Sequence, residues 1–393
     1  MSNPLRIGMV GYGFMGAAHS QAWRTVHRVF DLPRGVDMAV LCGRDAAQLE
    51  PAARKFGWRE TETDWRALVA RKDIDVIDVV TPGDSHAEIA IAALAAGKHV
   101  LCEKPLANTV AEAEAMTAAA ARAAREGVRA MCGFSYRRVP AVAHLRALIA
   151  AGRIGAVRHV RAVYLQDWIV DPEFPLVWRL QKERAGSGSL GDIGAHILDM
   201  TQHVTGERIT GVAGLTETFV RERPLPVAST GLSASAETKS QARGRVTVDD
   251  AAVVLGRLSG GGLCTFEATR FATGRKNALR IEVNGSLGSL AFDLERFNEL
   301  EFHAGARAGT ESGFTRILVT EPEHPYIAAW WPPGHIIGYE HVFTHQARDF
   351  VHAIAEGTEP SPSFAEALGV QLVLEAVERS ASRNAAWMDV PAV

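Results

Sequence analysis

The sequence predicts an α/β domain at the N-terminus, followed by an α+β domain built on a mostly antiparallel sheet. Two observations indicate the first domain: a glycine-rich turn that follows a short apolar run near residue 10, and an alternation of short apolar strands with helices. One observation indicates the second. Beyond residue 137 the predicted strands are longer, and turn glycines separate them. With 393 residues, the chain is long enough for two domains.

The first domain is expected over residues 1–137. Its strands are predicted at Arg6–Val10, Asp37–Cys42, Val76–Thr81, His99–Cys102 and Arg129–Gly133. Its helices are predicted at Ala17–Val26, Ala46–Phe56, Asp64–Ala70, His86–Ala96 and Val110–Glu126. This order predicts a parallel sheet with helices on both faces, and a ligand at the carboxyl ends of the strands.

The second domain is expected over residues 138–393. It begins with a helix at Pro140–Ala151 and a strand at Val157–Trp168, and another helix starts near Leu190. Further strands are predicted at Ile209–Val220, Ala251–Leu258, Gly262–Phe271, Leu279–Asn284, Ser289–Asp293 and Leu300–His303. Loops are expected over 224–245 and 322–338, and two helices, Tyr339–Glu356 and Phe364–Ala381, close the chain.

Composition excludes several classes of partner. The net charge of −3 gives no general attraction for nucleic acid or for an anionic membrane surface. The sequence has no apolar run long enough to span a bilayer and no secretory leader, so we expect a cytoplasmic protein. The cysteines lack C-x-x-C spacing and are interpreted as reduced core residues, with no metal site: Cys42, Cys102, Cys132 and Cys264.

The glycine-rich turn is the strongest local signal. Gly11, Gly13 and Gly16 match G-x-G-x-x-G between a strand and a helix. The first glycine permits the tight turn, the second lets backbone approach a pyrophosphate, and the third lets the helix pack closely on the strand. The helix N-terminus then offers N–H groups to the phosphates. A glycine-rich turn without a ligand is the alternative.

The end of the second predicted strand bears on the choice between NAD and NADP. NAD-dependent enzymes commonly place an acidic residue there to bind the ribose diol. This sequence has Gly43 at that position, followed by Arg44 and Asp45. Arg44 could pair with a 2′-phosphate, which slightly favours NADP over NAD. Alternatively, Asp45 reaches the diol, or Arg44 stacks on the adenine.

Two further motifs carry groups suited to proton transfer. Lys104 follows a predicted strand at the same sheet edge as the glycine turn, between Glu103 and Pro105. Asp192 and His196 are four residues apart on a predicted helix and so share one face. A carboxylate beside an imidazole favours a general base near neutral pH. The alternatives are a surface lysine, a helix-capping aspartate and a core histidine.

Together these motifs resemble the Gfo/Idh/MocA family, named for glucose–fructose oxidoreductase, inositol dehydrogenase and a rhizopine-catabolism protein. The resemblance rests on GYGFMG at 11–16, TPGDSH at 81–86, Glu-Lys-Pro at 103–105 and Asp192-x-x-x-His196, and it covers essentially the whole chain. It implies an N-terminal Rossmann domain that binds NAD(P) and a C-terminal domain with a large open sheet. It also implies a homodimer or homotetramer formed through that sheet.

The family's activity implies hydride transfer between NAD(P) and a ring hydroxyl carbon of a sugar, anhydrosugar or cyclitol. Its catalytic residues correspond to Lys104, Asp192 and His196. The resemblance implies cofactor contacts from Gly11, Gly13, Phe14, Met15, Gly16, Gly43, Arg44, Thr81, Pro82, His86, Glu103 and Lys104.

Substrate contacts are expected from Tyr136, Gln166 and Trp168, together with Asp192 and His196. Residues 136–142, 164–168 and 178–188 are similar to a branch of the family that oxidises a pyranose-like substrate at a ring hydroxyl. Two alternatives stay open: an NAD-dependent glycoside hydrolase of the same fold, and a catalytically silent protein that senses the cofactor.

Overall fold

The structure, a computed structural model, describes residues 3–226, 242–305 and 309–393. The chain forms two compact units. The first comprises residues 1–135 and 338–368, and the second comprises residues 136–337 and 369–393. The linear domain division expected at residue 137 stays a prediction.

The first unit contains the predicted parallel sheet, which is confirmed. Its elements in chain order are β1 (Leu5–Val10), α1 (Phe14–Val29), β2 (Val36–Cys42), α2 (Ala46–Phe56), β3 (Glu60–Glu62), α3 (Trp65–Ala70), β4 (Val76–Val79), α4 (His86–Ala95), β5 (His99–Cys102), α5 (Val110–Arg125) and β6 (Ala130–Cys132). The strands pair in the order β3-β2-β1-β4-β5-β6, all parallel. The strand order reverses between β1 and β4, which is where open α/β sheets bind ligands.

Local chemistry explains most of these boundaries. The side chain of Asp45 caps α2 at its start, and Gly57 ends it in the left-handed conformation at φ 87°. Thr109 and Glu112 form a capping box at the start of α5. The sequence did not predict β3, because this short edge strand is acidic and largely exposed and therefore lacks an apolar pattern.

The second unit contains a nine-stranded mixed sheet. Its elements begin with α6 (Pro140–Ala150), β7 (Val157–Leu165), α7 (Lys182–Ala185), α8 (Ala195–Thr205), β8 (Ile209–Glu217), β9 (Glu222–Pro224), β10 (Arg243–Arg245), β11 (Ala251–Leu258), β12 (Leu263–Thr269), β13 (Ala278–Gly285), β14 (Gly288–Asp293), β15 (Glu299–Ala304) and β16 (Thr315–Leu318). The large sheet has the order β16-β15-β14-β13-β7-β12-β11-β8-β17, where β17 is Met388–Asp389. Its described pairs are antiparallel apart from β7–β12, so the expected sheet is confirmed.

The sheet presents alternate residues to its two faces. Along β7, Val160, Ala162 and Tyr164 are buried on the face that α8 contacts. The helix expected near Leu190 begins with a π-helical turn, Leu190–Gly194, and continues as α8. Strand β7 ends at Leu165, three residues before the predicted end, and the Gln166 N–H makes a last backbone bond to the Thr269 carbonyl oxygen at 2.9 Å.

The two C-terminal helices are confirmed as α9 (Tyr339–Glu356) and α10 (Phe364–Ala381). Helix α9 packs on α1 in the first unit. The loop expected over 322–338 contains a short 3₁₀ turn at Ile327–Ala329. Most of the loop expected over 224–245 lies outside the described residues, and its described ends pair as β9 and β10. No helix in the described parts of the chain is long and apolar enough to cross a membrane.

Candidate active site

The glycine turn between β1 and α1 has the geometry that a phosphate site requires. Gly11 has φ 111°, and a Cβ there would lie 2.9 Å from the carbonyl oxygen of Val80. A Cβ on Gly16 would lie 2.7 Å from the carbonyl oxygen of Gly11. At Gly13, by contrast, a Cβ would meet no described atom within 4 Å. The turn therefore requires glycine at 11 and 16, and the exposed backbone at 13 is open to a ligand.

Phe14 and Met15 follow as the first residues of α1. The backbone N–H groups of a first helical turn have no carbonyl partners within the helix, so they can bind an anion. The Phe14 side chain is 52% exposed and stacks on Tyr339, with ring centroids 6.4 Å apart. These residues fit a dinucleotide whose pyrophosphate lies over the start of α1.

The residue at position 43 is glycine for a steric reason. An ideal Cβ there would lie 2.1 Å from the ring of Tyr12, so a side chain at this position would require the tyrosine ring to move. Asp45 accepts hydrogen bonds from the Ala47 N–H at 3.0 Å and from Gln48 Nε2 at 2.8 Å. Its carboxylate thus caps α2, while the neighbouring Arg44 side chain is exposed.

His86 braces two loops at the carboxyl edge of the sheet. Its imidazole is 1% exposed, with Nε2 at 2.9 Å from the Thr81 carbonyl oxygen and Nδ1 at 3.0 Å from that of Pro105. Thr81 and Pro82 follow β4, and Pro105 follows Lys104 beyond β5. His86 therefore supports the surface of the cofactor edge from inside.

A buried ion network lies beside the peptide of Lys104. His19 on α1 contacts Asp78 on β4 through Nδ1 at 2.9 Å, and Glu103 through Nε2 at 3.1 Å. Trp23 donates its indole N–H to Asp78 at 2.7 Å. The three charged residues are each at most 4% exposed. Glu103 was predicted to contact the cofactor. In the structure its carboxylate is directed into the protein interior, towards His19.

This arrangement holds His19 in its charged form. Burial alone would lower the pKa of His19, but Asp78 and then Glu103 outweigh it and raise that pKa to about 10. The other oxygen of Glu103 accepts the backbone N–H of Lys104 at 3.2 Å. A Cβ on Gly133 would lie 2.5 Å from Glu103 Oε1, so glycine there makes room for the carboxylate. The network thereby fixes the backbone that carries the half-buried Lys104.

In the second unit, two tyrosines flank His196, which lies in the first turn of α8. The ring centroid of His196 is 4.6 Å from that of Tyr136 and 5.9 Å from that of Tyr164. His196 is 9% exposed, and the two tyrosines are 5% and 3% exposed. The aromatic rings restrict the rotation of the imidazole.

Three of the five predicted substrate residues meet in one hydrogen-bond chain. Trp168 donates its indole N–H to Gln166 Oε1 at 3.0 Å, and Gln166 Nε2 donates to Asn277 Oδ1 at 2.8 Å. Tyr164 donates to the same oxygen at 2.7 Å, and its hydroxyl is 3.0 Å from that of Tyr136. We call these five residues the polar chain. It brings Tyr136, Gln166 and Trp168 together through two residues that carried no predicted role.

Asp192 lies in the π-helical turn and faces a buried cation. Arg270 Nη1 is 3.6 Å from Asp192 Oδ2, and the Arg270 guanidinium lies 5.5 Å from the Trp168 ring centroid. π-Helical turns inside helices are frequent at functional sites. Asp199, one turn beyond His196, instead accepts hydrogen bonds from Arg137 Nε at 2.9 Å.

The start of this helical segment is held by Asp249. Its carboxylate accepts the N–H groups of Gly188 at 2.7 Å and Leu190 at 2.8 Å, and the Ser189 hydroxyl at 2.6 Å. A Cβ on Gly188 would lie 1.8 Å from the Asp249 carbonyl oxygen, so only glycine fits there. Asp249 therefore fixes the N-terminal end of the helical segment that carries Asp192 and His196.

Two family models match the chain. The model of the oxidoreductase family with an NAD-binding Rossmann fold matches residues 5–134, and that of the GFO/IDH/MocA C-terminal domain matches residues 142–291. Levoglucosan dehydrogenase from Pseudarthrobacter phenanthrenivorans is 40% identical over 391 residues, which is 99% of each chain. The chain belongs to the Gfo/Idh/MocA oxidoreductase family. It is therefore an oxidoreductase with an NAD-binding domain.

Other members of the Gfo/Idh/MocA family extend this result. Inositol 2-dehydrogenase from Rhizobium meliloti is 26% identical and covers 97% of this chain and 98% of its own. A solved oxidoreductase domain protein from Kribbella flavida is 63% identical, with a TM-score of 0.94 over 99% of this chain and all of its own. Levoglucosan dehydrogenase in complex with NADH and levoglucosan is 40% identical, with a TM-score of 0.92 over the full length of both chains.

Sequence reasoning missed several residues that shape the site. His19, Asp78, Asn277, Arg270 and Asp249 had no predicted role. Asp78 carried a readable signal, because a carboxylate inside the apolar strand Val76–Val79 requires a buried partner. Asn277 and Arg270 carried no such signal, since Asn277 lies beside a turn and Arg270 lies one residue before the end of a predicted strand, where polar residues are common.

Proposed function

We propose that this protein oxidises a ring hydroxyl of a sugar or anhydrosugar, levoglucosan or a close relative, with NAD(P) as the hydride acceptor. The full-length identity of 40% with levoglucosan dehydrogenase carries the proposal. The polar chain in the second unit supports it, because hydroxyl and amide groups beside aromatic rings suit a sugar.

His196 is the proposed general base. It takes the proton of the substrate hydroxyl, and the carbon that bears this hydroxyl loses a hydride. NAD(P), when bound, accepts that hydride. Tyr136 and Tyr164 limit the orientations of the imidazole, which favours transfer to one ring nitrogen.

Lys104 and Asp192 have supporting roles in this proposal. The Lys104 ammonium donates a hydrogen bond to the reacting oxygen and stabilises the negative charge that develops there. The Glu103 carboxylate accepts the backbone N–H of Lys104, which fixes the position from which the lysine side chain extends. Asp192, whose carboxylate faces the Arg270 guanidinium at 3.6 Å, orients the imidazole of His196.

Besides Asp192 and His196, three residues are proposed to bind the sugar. Tyr136 and Gln166 provide hydrogen bonds to hydroxyl groups, and Trp168 provides an apolar ring face. The indole of Trp168 is already oriented by its hydrogen bond to Gln166 Oε1. Binding of the sugar would therefore cost little side-chain entropy at this residue.

The proposed cofactor contacts follow the carboxyl edge of the first sheet. They comprise Gly11, Gly13, Phe14, Met15 and Gly16 for the pyrophosphate, with Gly43, Arg44, Thr81, Pro82, His86, Glu103 and Lys104 around the rest. His86 and Glu103 act through the backbone they hold, because both side chains are buried. The solved complexes of levoglucosan dehydrogenase with NADH support NAD, while the exposed Arg44 supports the slight preference for NADP that the sequence indicates.

We also propose a homo-oligomer formed through the exposed face of the large sheet. Leu215, Val253, Leu255 and Leu263 project from β8, β11 and β12, and each is more than half exposed. Contiguous apolar side chains of this kind mark an interface. Light scattering should find a dimer or tetramer, and Leu255→Glu should shift it towards monomer. A wild-type monomer at micromolar concentration contradicts this part.

The four cysteines are buried thiols, which a reducing compartment maintains. This supports the predicted cytoplasmic location.

A substrate screen tests the proposed activity. Levoglucosan, other anhydrosugars, pyranoses and inositols are each incubated with NAD and with NADP, and reduced nicotinamide is followed by its absorbance. Reduction with levoglucosan or a related sugar is expected. Release of a chromogenic aglycone without net reduction of the coenzyme would instead indicate the glycoside-cleaving alternative.

A further inference from the structure

The polar chain has a fixed donor direction. An indole N–H can only donate, so Trp168 requires the oxygen of the Gln166 amide to face it. The amide nitrogen of Gln166 therefore faces Asn277, and Asn277 must present its oxygen. The Tyr164 hydroxyl donates its hydrogen to that oxygen. In the hydrogen bond between the two tyrosines, Tyr136 must therefore be the donor and Tyr164 the acceptor.

Asn277 Oδ1 is the acceptor on which both ends of the chain converge. It receives Gln166 Nε2 at 2.8 Å and Tyr164 Oη at 2.7 Å. Its backbone N–H donates to Glu295 Oε1 at 3.2 Å, at the turn before β13. The residue is thus tied by its backbone to Glu295, in the 3₁₀ turn after β14, and by its side chain to Gln166 and Tyr164.

The two tyrosines connect Asn277 to His196. Tyr164 stands on β7 facing α8, and Tyr136 bonds to it through the hydroxyl groups. Both rings contact the imidazole, at centroid distances of 4.6 and 5.9 Å. If Tyr164 loses its acceptor, both rings can shift, and the imidazole can shift with them.

We propose that Asn277 is a positioning residue for His196, acting through the acceptor oxygen that holds Tyr164 and, through it, Tyr136. The inference rests on the proposed function, in which His196 removes the substrate proton. It predicts that the oxygen at position 277, and not merely the volume of the side chain, sets the turnover rate.

A pair of near-isosteric variants tests this. Asn277→Leu removes the acceptor, and Asn277→Asp keeps it. Asn277→Leu should lower kcat about 10- to 100-fold, the usual effect of displacing a catalytic group by about 1 Å. Asn277→Asp should stay within about threefold of wild type. The Kd for NAD, measured by fluorescence titration, should change less than about twofold in both.

Asn284→Leu is the matched control, because Asn284 lies at the other end of β13 and bonds to Glu282 and Ser289. It should keep kcat within about twofold. Tyr164→Phe retains the ring without its hydroxyl and should lose about 3- to 30-fold in kcat, which keeps the test decisive if Asn277→Leu fails to fold.

Three results would overturn the inference: unchanged kcat in Asn277→Leu, equal losses in Asn277→Leu and Asn277→Asp, or a loss confined to KM. Each leaves the proposed function intact as long as the wild type oxidises a sugar. If the wild type oxidises none, crystal structures of the wild type and Asn277→Leu decide. A His196 ring displaced by about 1 Å in the variant supports the inference, and an unmoved ring overturns it.

Discussion

Lys104 and His196 are held in place by two different kinds of buried network. In the first unit, His19 joins the carboxylates of Asp78 and Glu103, and Glu103 binds the backbone of Lys104. In the second unit, neutral amide, indole and phenol groups form the polar chain, and its two tyrosine rings contact the His196 ring. The backbone of Lys104 is thus anchored by charged groups, and the two aromatic rings that contact His196 are anchored by neutral hydrogen bonds.

The difference has consequences for stability and activity. Removing one partner of a buried ion pair leaves an uncompensated charge and commonly costs about 3–5 kcal/mol of folding stability. Removing one neutral hydrogen bond costs about 0.5–1.5 kcal/mol, although a buried group left unpaired adds to this. Damage to the ion network should therefore appear first in stability, and damage around His196 should appear first in turnover.

The largest expected effect is on turnover, at His196. His196→Ala should lower kcat by about two to four orders of magnitude, because it removes the proposed general base. The Kd for NAD should be nearly unchanged, since the proposed NAD contacts lie in the first unit. Steady-state kinetics and fluorescence titration measure the two quantities.

His203→Ala is the matched control, because His203 lies on the same helix two turns further along. It should keep kcat within about threefold of wild type. Near-normal turnover of His196→Ala at neutral pH contradicts the general-base role.

The next effect is on stability, at His19. His19→Gln should lower the free energy of unfolding by about 3–5 kcal/mol at pH 7, because Asp78 and Glu103 lose their shared cation. Urea denaturation measures the loss. His27→Gln, an exposed position on the same helix, should change stability by less than about 0.5 kcal/mol. Equal stabilities for the two variants contradict the ion network.

The pH dependence of stability sharpens this comparison. The pKa of His19 rises from an ordinary 6.5 to about 10 in the folded protein. Its contribution is therefore fully present below pH 6.5 and is lost as pH rises through about 10. Between these values the native state holds one proton more than the unfolded state, which lowers the unfolding free energy by up to about 1.4 kcal/mol per pH unit.

The wild type should consequently lose stability between pH 7 and pH 10 more steeply than His19→Gln does. Urea denaturation across this range measures both slopes. Parallel slopes would mean that His19 is not held as a cation. The neutral polar chain predicts no comparable slope, so an Asn277→Leu variant should keep the wild-type slope.

The smallest expected effect concerns the cofactor. Arg44→Ala should weaken NADP binding about 3- to 30-fold and NAD binding less than about twofold, because only NADP presents a 2′-phosphate. Titrations with both coenzymes measure this. Equal losses point to adenine stacking, and no loss for either coenzyme removes Arg44 from the site.

Much of the fold was predictable because its signals are local. Apolar runs such as Ile7–Val10, turn glycines and capping residues such as Asp45 depend on neighbours in sequence. The missed strand β3 and the late end assigned to β7 show the limit. An exposed edge strand has no apolar pattern, and Trp168 continues the apparent alternation of β7 after the ladder has ended.

The candidate site was less predictable, because its contacts join distant segments. The pairs His19–Glu103 and Tyr164–Asn277 are separated by 84 and 113 residues. No periodicity relates such positions. The residue motifs indicated Lys104, Asp192 and His196, but only the folded chain identifies what surrounds them. Gly43 is a related case, since its reason is the ring of Tyr12 and not the cofactor alone.

Isotope transfer tests the central claim most directly. Levoglucosan that carries deuterium on its ring carbinol carbons is incubated with NAD, and the reduced coenzyme is analysed by mass spectrometry. We predict that the wild type transfers deuterium to the coenzyme and that His196→Ala does so about two to four orders of magnitude more slowly. The account is contradicted if NAD binds to the protein but no deuterium reaches the coenzyme, either from labelled levoglucosan or from a labelled form of any sugar that was active in the substrate screen. Equal rates for the wild type and His196→Ala contradict it as well.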